Sequence, residues 1–313
     1  MATAGNVTLL EAAKYGNDML KKGLIETLIQ ESPFLESLPW MPVSGNALQH
    51  FVEEDLPSVA FRNVNESYTA SFGTDTAHFW GTAILGGEAI VDNALVDVVG
   101  NVVDIKARQS AKLMKANAMT FDDFVINGTG TAKDFKGLKA LVAEGFGQSL
   151  VNVVNGGALS LDKLDEANDL LRNQGGADVL VTNRFVRRKI TSLARSTVTG
   201  VSLIDVGTDV FGRQVVSWNG IPIRFLGMKT DGTEILAFNE DPGDAVFDCT
   251  SLWFLKYGTD DVCGLMGKGG TFDVKDFGET QAAPVHKLRL EWYPGLAVFN
   301  KYSVVRLNSI TAA

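Results

Sequence analysis

Histidine, cysteine and long apolar runs are what this chain has least of. Three histidines in 313 residues, His50, His78 and His286, lie far apart in the sequence. No HExxH or other paired spacing joins them, which speaks against a zinc site. They read as ordinary polar residues of strands. Two cysteines, Cys249 and Cys263, fit neither a disulfide framework nor a zinc motif and read as reduced cytoplasmic thiols. No stretch approaches the roughly 20 consecutive apolar residues that cross a bilayer. The opening MATAGNVTLLEAAKYGND has no basic segment followed by an apolar one, so no secretory signal is read there. The sequons at Asn6, Asn65 and Asn127 are then chance matches to a short pattern.

Catalytic motifs are scarce as well. There is no nucleophile elbow and no dinucleotide fingerprint. Ser160 to Lys163 matches SxxK, but Ser160 stands where a helix cap belongs and no supporting motif accompanies it. The stretch GLMGKGGTF has Val262 where a P-loop needs its first glycine and Gly269 where it needs Ser or Thr. It reads as a glycine-rich turn. The doublets Asp122-Asp123 and Asp260-Asp261 read as solvated loop or helix-end residues before they read as a cation site. No catalytic residue, metal ligand or cofactor is assigned, and an α/β metabolic enzyme is a remote alternative.

What is present is a folded composition, 45% hydrophobic and 21% charged. Asp and Glu number 37 against 28 Lys and Arg, for a net charge of -9. Tight nucleic-acid binding runs on neutralised phosphates, so this balance argues against a dedicated binding module.

Residues 8 to 37 show helix-like spacing in Leu9, Leu10, Ala13, Leu20, Leu24 and Leu28, with Ser32-Pro33 expected to bend or stop the helix. From Gly45 to Asp92 the runs HFVEE, SVAFR and AHFWGTAILGG predict strands between turn formers. Such a stretch suits either a core sheet or a long hairpin that reaches outward. Asn101 to Ile126 lacks Gly and Pro, and Ala107, Ala111, Met114, Ala118, Phe121 and Val125 form one apolar stripe. Asn127-Gly128 then supplies a stop. Residues 155 to 260 alternate helix and strand signals: a helix in LDKLDEANDLLRN, a buried strand VLVT, a cap at Asn183, and strands in RQVVSW, IPIRFLG and EILAF. The remainder is strand-rich, ending in KLRLEWYPGLAVFNKYSVVRL.

The stretch VTNRFVRRKITSLARS contradicts the overall acidity. At about 100° per residue, Arg184, Arg187, Arg188 and Arg195 share one side and Val186, Ile190 and Leu193 the other, with Lys189 toward the apolar flank. The helix before it is the charge opposite. Asp162, Asp165, Glu166 and Asp169 share a side, with Leu164, Ala167 and Leu171 opposite. The two faces are expected to meet, within one subunit or between copies. A solvated face and a phosphate-binding face remain open.

In this order the elements resemble the major capsid protein of tailed bacteriophages, the Hong Kong 97-like fold. ESPFLESLPW, LPSVAFRNVNESY, NRFVRRKITSLARSTVTG, DVFGRQVVSWNGIPI and EWYPGLAVFNKYSVVRL carry the resemblance over nearly the whole chain. It implies an α+β chain with an N-terminal arm at 1–44, an extended β-hairpin loop at 45–92 and a peripheral domain with its long spine helix at 93–154. It further implies an axial domain at 155–260 and strands returning to the peripheral domain at 261–313. The extended loop would lie over a neighbouring subunit, with Phe61, Arg62, Phe72, Phe79 and Trp80 as contact candidates. The implied function is a self-assembling shell of pentamers and hexamers around double-stranded DNA, in the virion, assembled in the host cytoplasm. An encapsulin-like compartment is the alternative. About forty residues of arm leave no room for a fused scaffold, so a separate scaffolding protein is implied, with a portal protein and a possible decoration protein. No lysine lies between Lys22 and Lys106, which puts cross-linking through that loop in doubt.

Overall fold

Ser32 begins the described part of the chain by capping a helix. A computed structural model describes residues 32–312, apart from 46, 94–101, 132, 172–175, 197–203, 209–213, 268–272 and 281–282. The helical spacing at 8–31 lies outside those residues. Ser32 Oγ accepts the Leu35 N–H at 3.2 Å, and Pro33 takes the first turn of α1 (Pro33–Ser37). At Ser32-Pro33, where the helix was expected to bend or stop, a helix starts, because proline's missing N–H costs nothing at that position.

After β1 (Trp40–Pro42), strands β2 (Ala47–Asp55) and β3 (Thr74–Gly81) pair with each other alone as an antiparallel ribbon. SVAFR, expected as a strand, has no ladder partners and lies at the far end of that ribbon. Next come β4 (Leu85–Asp92), the long helix α2 (Val102–Asn127), α3 (Leu138–Ala143) and β5 (Gln148–Val151). At 1.5 Å per residue α2 is about 39 Å long. Its stripe is buried from Met114 through Ala118, Phe121 and Val125, while Ala107 near the other end is exposed.

Ser160 caps α4 (Leu161–Asp169), accepting the Lys163 N–H at 3.3 Å. The helix is shorter than the run to Gly175 that its sequence suggested. β6 (Val179–Thr182) leads into α5 (Arg184–Ser196), where Asn183 Oδ1 accepts the Val186 N–H at 2.8 Å. β7 (Ile204–Thr208), which the sequence did not announce, pairs with β8 (Gln214–Trp218), and β8 pairs with β9 (Ile221–Phe225). Asn219 and Gly220, both at positive φ, make the β8–β9 turn, the chemistry that tight hairpins require. EILAF is no strand: Ile235 and Leu236 are buried in a loop, and the Leu236 carbonyl accepts from Asn183 Nδ2 at 2.9 Å. β10 (Cys249–Leu255), β11 (Val262–Met266), β12 (Asp273–Thr280), β13 (Ala283–Trp292), β14 (Pro294–Val298) and β15 (Val304–Thr311) complete the chain.

The central sheet has seven strands in the order β5-β15-β10-β6-β9-β8-β7. Because side chains alternate across a strand, it divides the interior in two. Val179, Val181, Trp253, Leu255 and Val304 join a core with α1, α2, α3, β11 and β14. Leu180, Leu252, Phe254, Val305 and Leu307 join a second core with α4 and α5. Strands covered on both faces read as unbroken apolar runs, as VLVT does.

Polar ties cross these layers. Glu240 takes Lys139 at 2.7 Å and Arg306 at 2.9 Å; burial alone would raise its carboxyl, but the two cations hold it below the ordinary range. Asp122, read as solvated, is in fact fully buried and accepts the Ser32 hydroxyl. Burial pushes its carboxyl well above the ordinary range. Asp123, its neighbour, faces Lys229 at 3.1 Å. Among the described residues no group of three or more metal-ligating side chains is gathered.

Candidate functional site

A strand places adjacent residues on opposite faces, and this separates the ribbon's candidates. Trp80 points inward. It is buried, with its ring 5.0 Å from Phe146 and 6.2 Å from Phe299. It therefore anchors the ribbon to its own body, which corrects its place among the outward contacts. Phe79 points outward and is exposed. The 79/80 alternation was available in the sequence and would have separated the pair.

Past Asp55 the chain carries Leu56, Val59, Phe61, Val64, Tyr68 and Phe72, all exposed. That much apolar surface at one end exceeds the scattered exposure ordinary for a monomer. The end is nevertheless shaped. Asn63 N–H donates to Glu66 at 2.8 Å, Arg62 donates to the Glu66 carbonyl at 3.2 Å, and the Arg62 guanidinium lies 5.3 Å from the Tyr68 ring centre. Hydrogen bonds from Asn63 hold the Glu66 carboxyl below its ordinary range. Ser58 N–H and Ser71 Oγ close the neck at 2.8 Å. A presented apolar end with its backbone already tied loses less entropy on docking than a free loop.

The second candidate is the pair of charged helices. Val186 and Ile190 of α5 are buried, and Leu164 and Ala167 of α4 are buried, as their wheels required. The charged faces point away from the cores, with Arg184, Arg188, Arg195, Asp162, Asp165, Glu166 and Asp169 exposed. No ion pair joins the two faces among the described residues. Arg184 and Arg187 instead stack on Phe225, at 5.2 and 4.7 Å, and Arg188 lies over Phe185 at 5.2 Å. Glu166 pairs along its own helix with Lys163 at 2.6 Å. The Asp165 carboxyl is raised by partial burial and by Asp169 and Asp162 beside it. The meeting of these faces inside one subunit does not occur, because each helix packs its apolar side on the sheet and leaves its charge outside.

Sequence reasoning missed the histidines. His50 and His78 are directly opposed in the ribbon's register. The spacing between them is hairpin geometry, which no metal-motif rule contains.

Residues 17–163 match the family model described as Major capsid protein GP7. This is a structural capsid protein. The capsid protein shares its fold with the holo-SrpI encapsulin complex from Synechococcus elongatus PCC 7942, at 17% identity and a TM-score of 0.66, covering 90% of this chain and 89% of that one. It is also similar to Microbacterium phage Oxtober96, at 15% identity and TM-score 0.62, covering 88% and 90%. Mycobacterium phage Bobi matches at 17% identity and TM-score 0.59, covering 98% and 99%. No curated protein sequence matches the chain. The fold is thus Hong Kong 97-like, and the capsid protein is structural and not an enzyme. It associates with copies of itself into the shell of the virion, and assembly takes place in the host cytoplasm.

Proposed function

We propose that the capsid protein forms pentamers and hexamers of an icosahedral shell around double-stranded DNA, which it encloses without sequence-specific contact. In this reading residues 1–44 act as an arm and 45–92 as an extended loop over a neighbouring subunit. Residues 93–154 with 261–313 make a peripheral domain, and 155–260 an axial domain. A separate scaffolding protein, a portal protein and a decoration protein are the further partners.

The observation that carries the reading is the ribbon's far end, where Phe61 and Phe72 have no contact to bury them within their own chain. The two charged helices add a second contact. Complementary patches left unpaired on one chain suit a head-to-tail contact, which closes into rings when the rotation allows. Exposed ion pairs are worth about 0–1 kcal/mol each, so the helices set register and partner choice more than affinity.

Electron microscopy of the purified protein tests the whole. Shells with dense DNA interiors are expected from infected cells, and a persistent monomer overturns the assembly reading. Particles filled with a cargo protein instead would favour a compartment. Replacing Arg184, Arg187 and Arg188 with glutamate is expected to reduce shell yield. Replacing Asp162, Asp165 and Asp169 with lysine in the same chain is expected to restore it. Shells indifferent to both changes would remove the helices from the contact.

A further inference from the structure

Asparagine followed by glycine occurs at Asn127-Gly128, Asn155-Gly156 and Asn219-Gly220. In such a pair the glycine nitrogen can approach the asparagine side chain, because glycine has no Cβ in the way. The fold restrains two of the pairs. At the end of α2, Asn127 Nδ2 donates to Asp123 at 2.7 Å and to the Ile235 carbonyl at 3.3 Å, and the Gly128 N–H donates to the Phe124 carbonyl at 2.9 Å. Asn155 is exposed, but the Gly156 N–H donates to the Val153 carbonyl at 3.1 Å. The backbone there is also closely packed, since a Cβ placed on Gly156 would stand 2.9 Å from Cys249 Sγ.

Asn219-Gly220, the β8–β9 turn, is held by neither device. Both residues are exposed. Neither the Asn219 side chain nor the Gly220 N–H has a hydrogen-bond partner among the described residues, and a Cβ on Gly220 would meet nothing within 4 Å. The turn also sits at a weak point of the sheet. Among the described residues β7 joins the sheet only through β8, and β8 joins β9 through the pairs Ser217–Pro222 and Trp218–Ile221. Pro222 has no N–H to give. The junction therefore rests on Trp218–Ile221, the pair that the turn closes.

We propose that Asn219 is a site of spontaneous deamidation, and that the modification loosens β7 and β8 from the sheet. The Gly220 nitrogen gives its proton to water and attacks Asn219 Cγ. The Cγ–Nδ2 bond breaks, and ammonia leaves with a proton returned from water. The cyclic imide then takes up one water. Opening at Cγ leaves aspartate; opening at the main-chain carbonyl leaves isoaspartate, whose backbone runs through Cβ. Ring closure needs both turn residues to leave their hairpin angles for a moment. Only the turn's own closure resists that here, whereas at Gly128 and Gly156 a bond on the attacking nitrogen must break as well. Isoaspartate lengthens the main chain of a turn whose length fixes register, so Trp218 and Ile221 no longer face each other. The step belongs to one chain and stands whether or not copies associate.

Ageing unassembled full-length subunits in mildly alkaline heavy-oxygen water, followed by peptide mass spectrometry, tests the site. Each deamidation takes up one heavy oxygen, and label at 219 is expected to exceed that at 127 and at 155 by at least about tenfold. Amide hydrogen exchange of the aged chain should quicken at 204–208 and 214–218 and stay unchanged in β10. Asn219→Gln, whose longer side chain must close a larger and slower ring, should remove both the label and the loosening. The label map of the natural chain decides the site by itself if that variant does not fold. No label at 219, equal label at 127 or 155, label at 219 with unchanged exchange in β8, or the same loosening in aged Asn219→Gln overturns the proposal.

Discussion

Phe254, in the middle of β10, is completely buried, whereas Phe61, at the far end of the β2–β3 ribbon, is fully exposed. The same side chain serves opposite ends in the two places. In the seven-stranded sheet, cores on both faces have already removed it from water, and its energy goes into the stability of one chain. At the ribbon's end no element of the chain covers it, and its energy becomes available only when a second surface arrives. The ribbon is attached through a few aromatic contacts at its root and the sheet through two complete cores. Stability and assembly are therefore carried by different residues, and mutations can separate them.

The largest expected effect falls on the sheet. Trp253→Ala removes a fully buried ring from between neighbouring strands. It is expected to cost about 3–5 kcal/mol, measured by denaturant unfolding of unassembled subunits. Phe61→Ala with Phe72→Ala should change that unfolding by less than about 0.5 kcal/mol and yet sharply reduce shell yield in a sedimentation assay. Equal loss of stability in the two variants would erase the distinction between the regions.

Next in size is Asp122, where the first core meets Ser32. A carboxyl raised by burial keeps its proton in the folded chain at pH values where the unfolded chain has released it. Its contribution is present at pH below about 3.8, its ordinary value, and is lost as pH rises toward the raised value. Asp122→Asn removes that loss. The variant is expected to exceed the natural chain by about 0.5–3 kcal/mol at pH 8, with the gap closing near pH 4, as read by thermal melts across pH. Glu240 behaves in the reverse sense. Its lowered carboxyl contributes above the ordinary value and loses its contribution as the solution becomes acid. Ser160→Ala is expected to cost about 1 kcal/mol through loss of the α4 cap, with shells still forming.

Legibility in the sequence followed the range of the interactions. Ser160 and Asn183 as caps, the VLVT strand, the apolar sides of α4 and α5 and the body of α2 were all readable, because each depends on neighbours within one or two turns. The errors came where a distant partner decides. EILAF has strand composition, but its place in the chain offers no ladder, and Leu236 instead receives a side chain across from Asn183. SVAFR likewise has no strand to pair with at the end of the ribbon. Asp122 looked solvated because nothing near it in sequence reveals the Ser32 hydroxyl that faces it. Trp80 was misplaced although alternation alone would have turned it inward.

By itself the sequence determined the periodicities, the caps, the charge opposition of two helices and the absence of catalytic motifs, since these are properties of a residue and its near neighbours. Only the tertiary structure decided that the two charged faces stay apart within one chain, that β4 joins β13 and not the ribbon, and that His50 meets His78. Those outcomes depend on which strand finds which partner across tens of residues. Register and topology settle that, and local composition does not encode it.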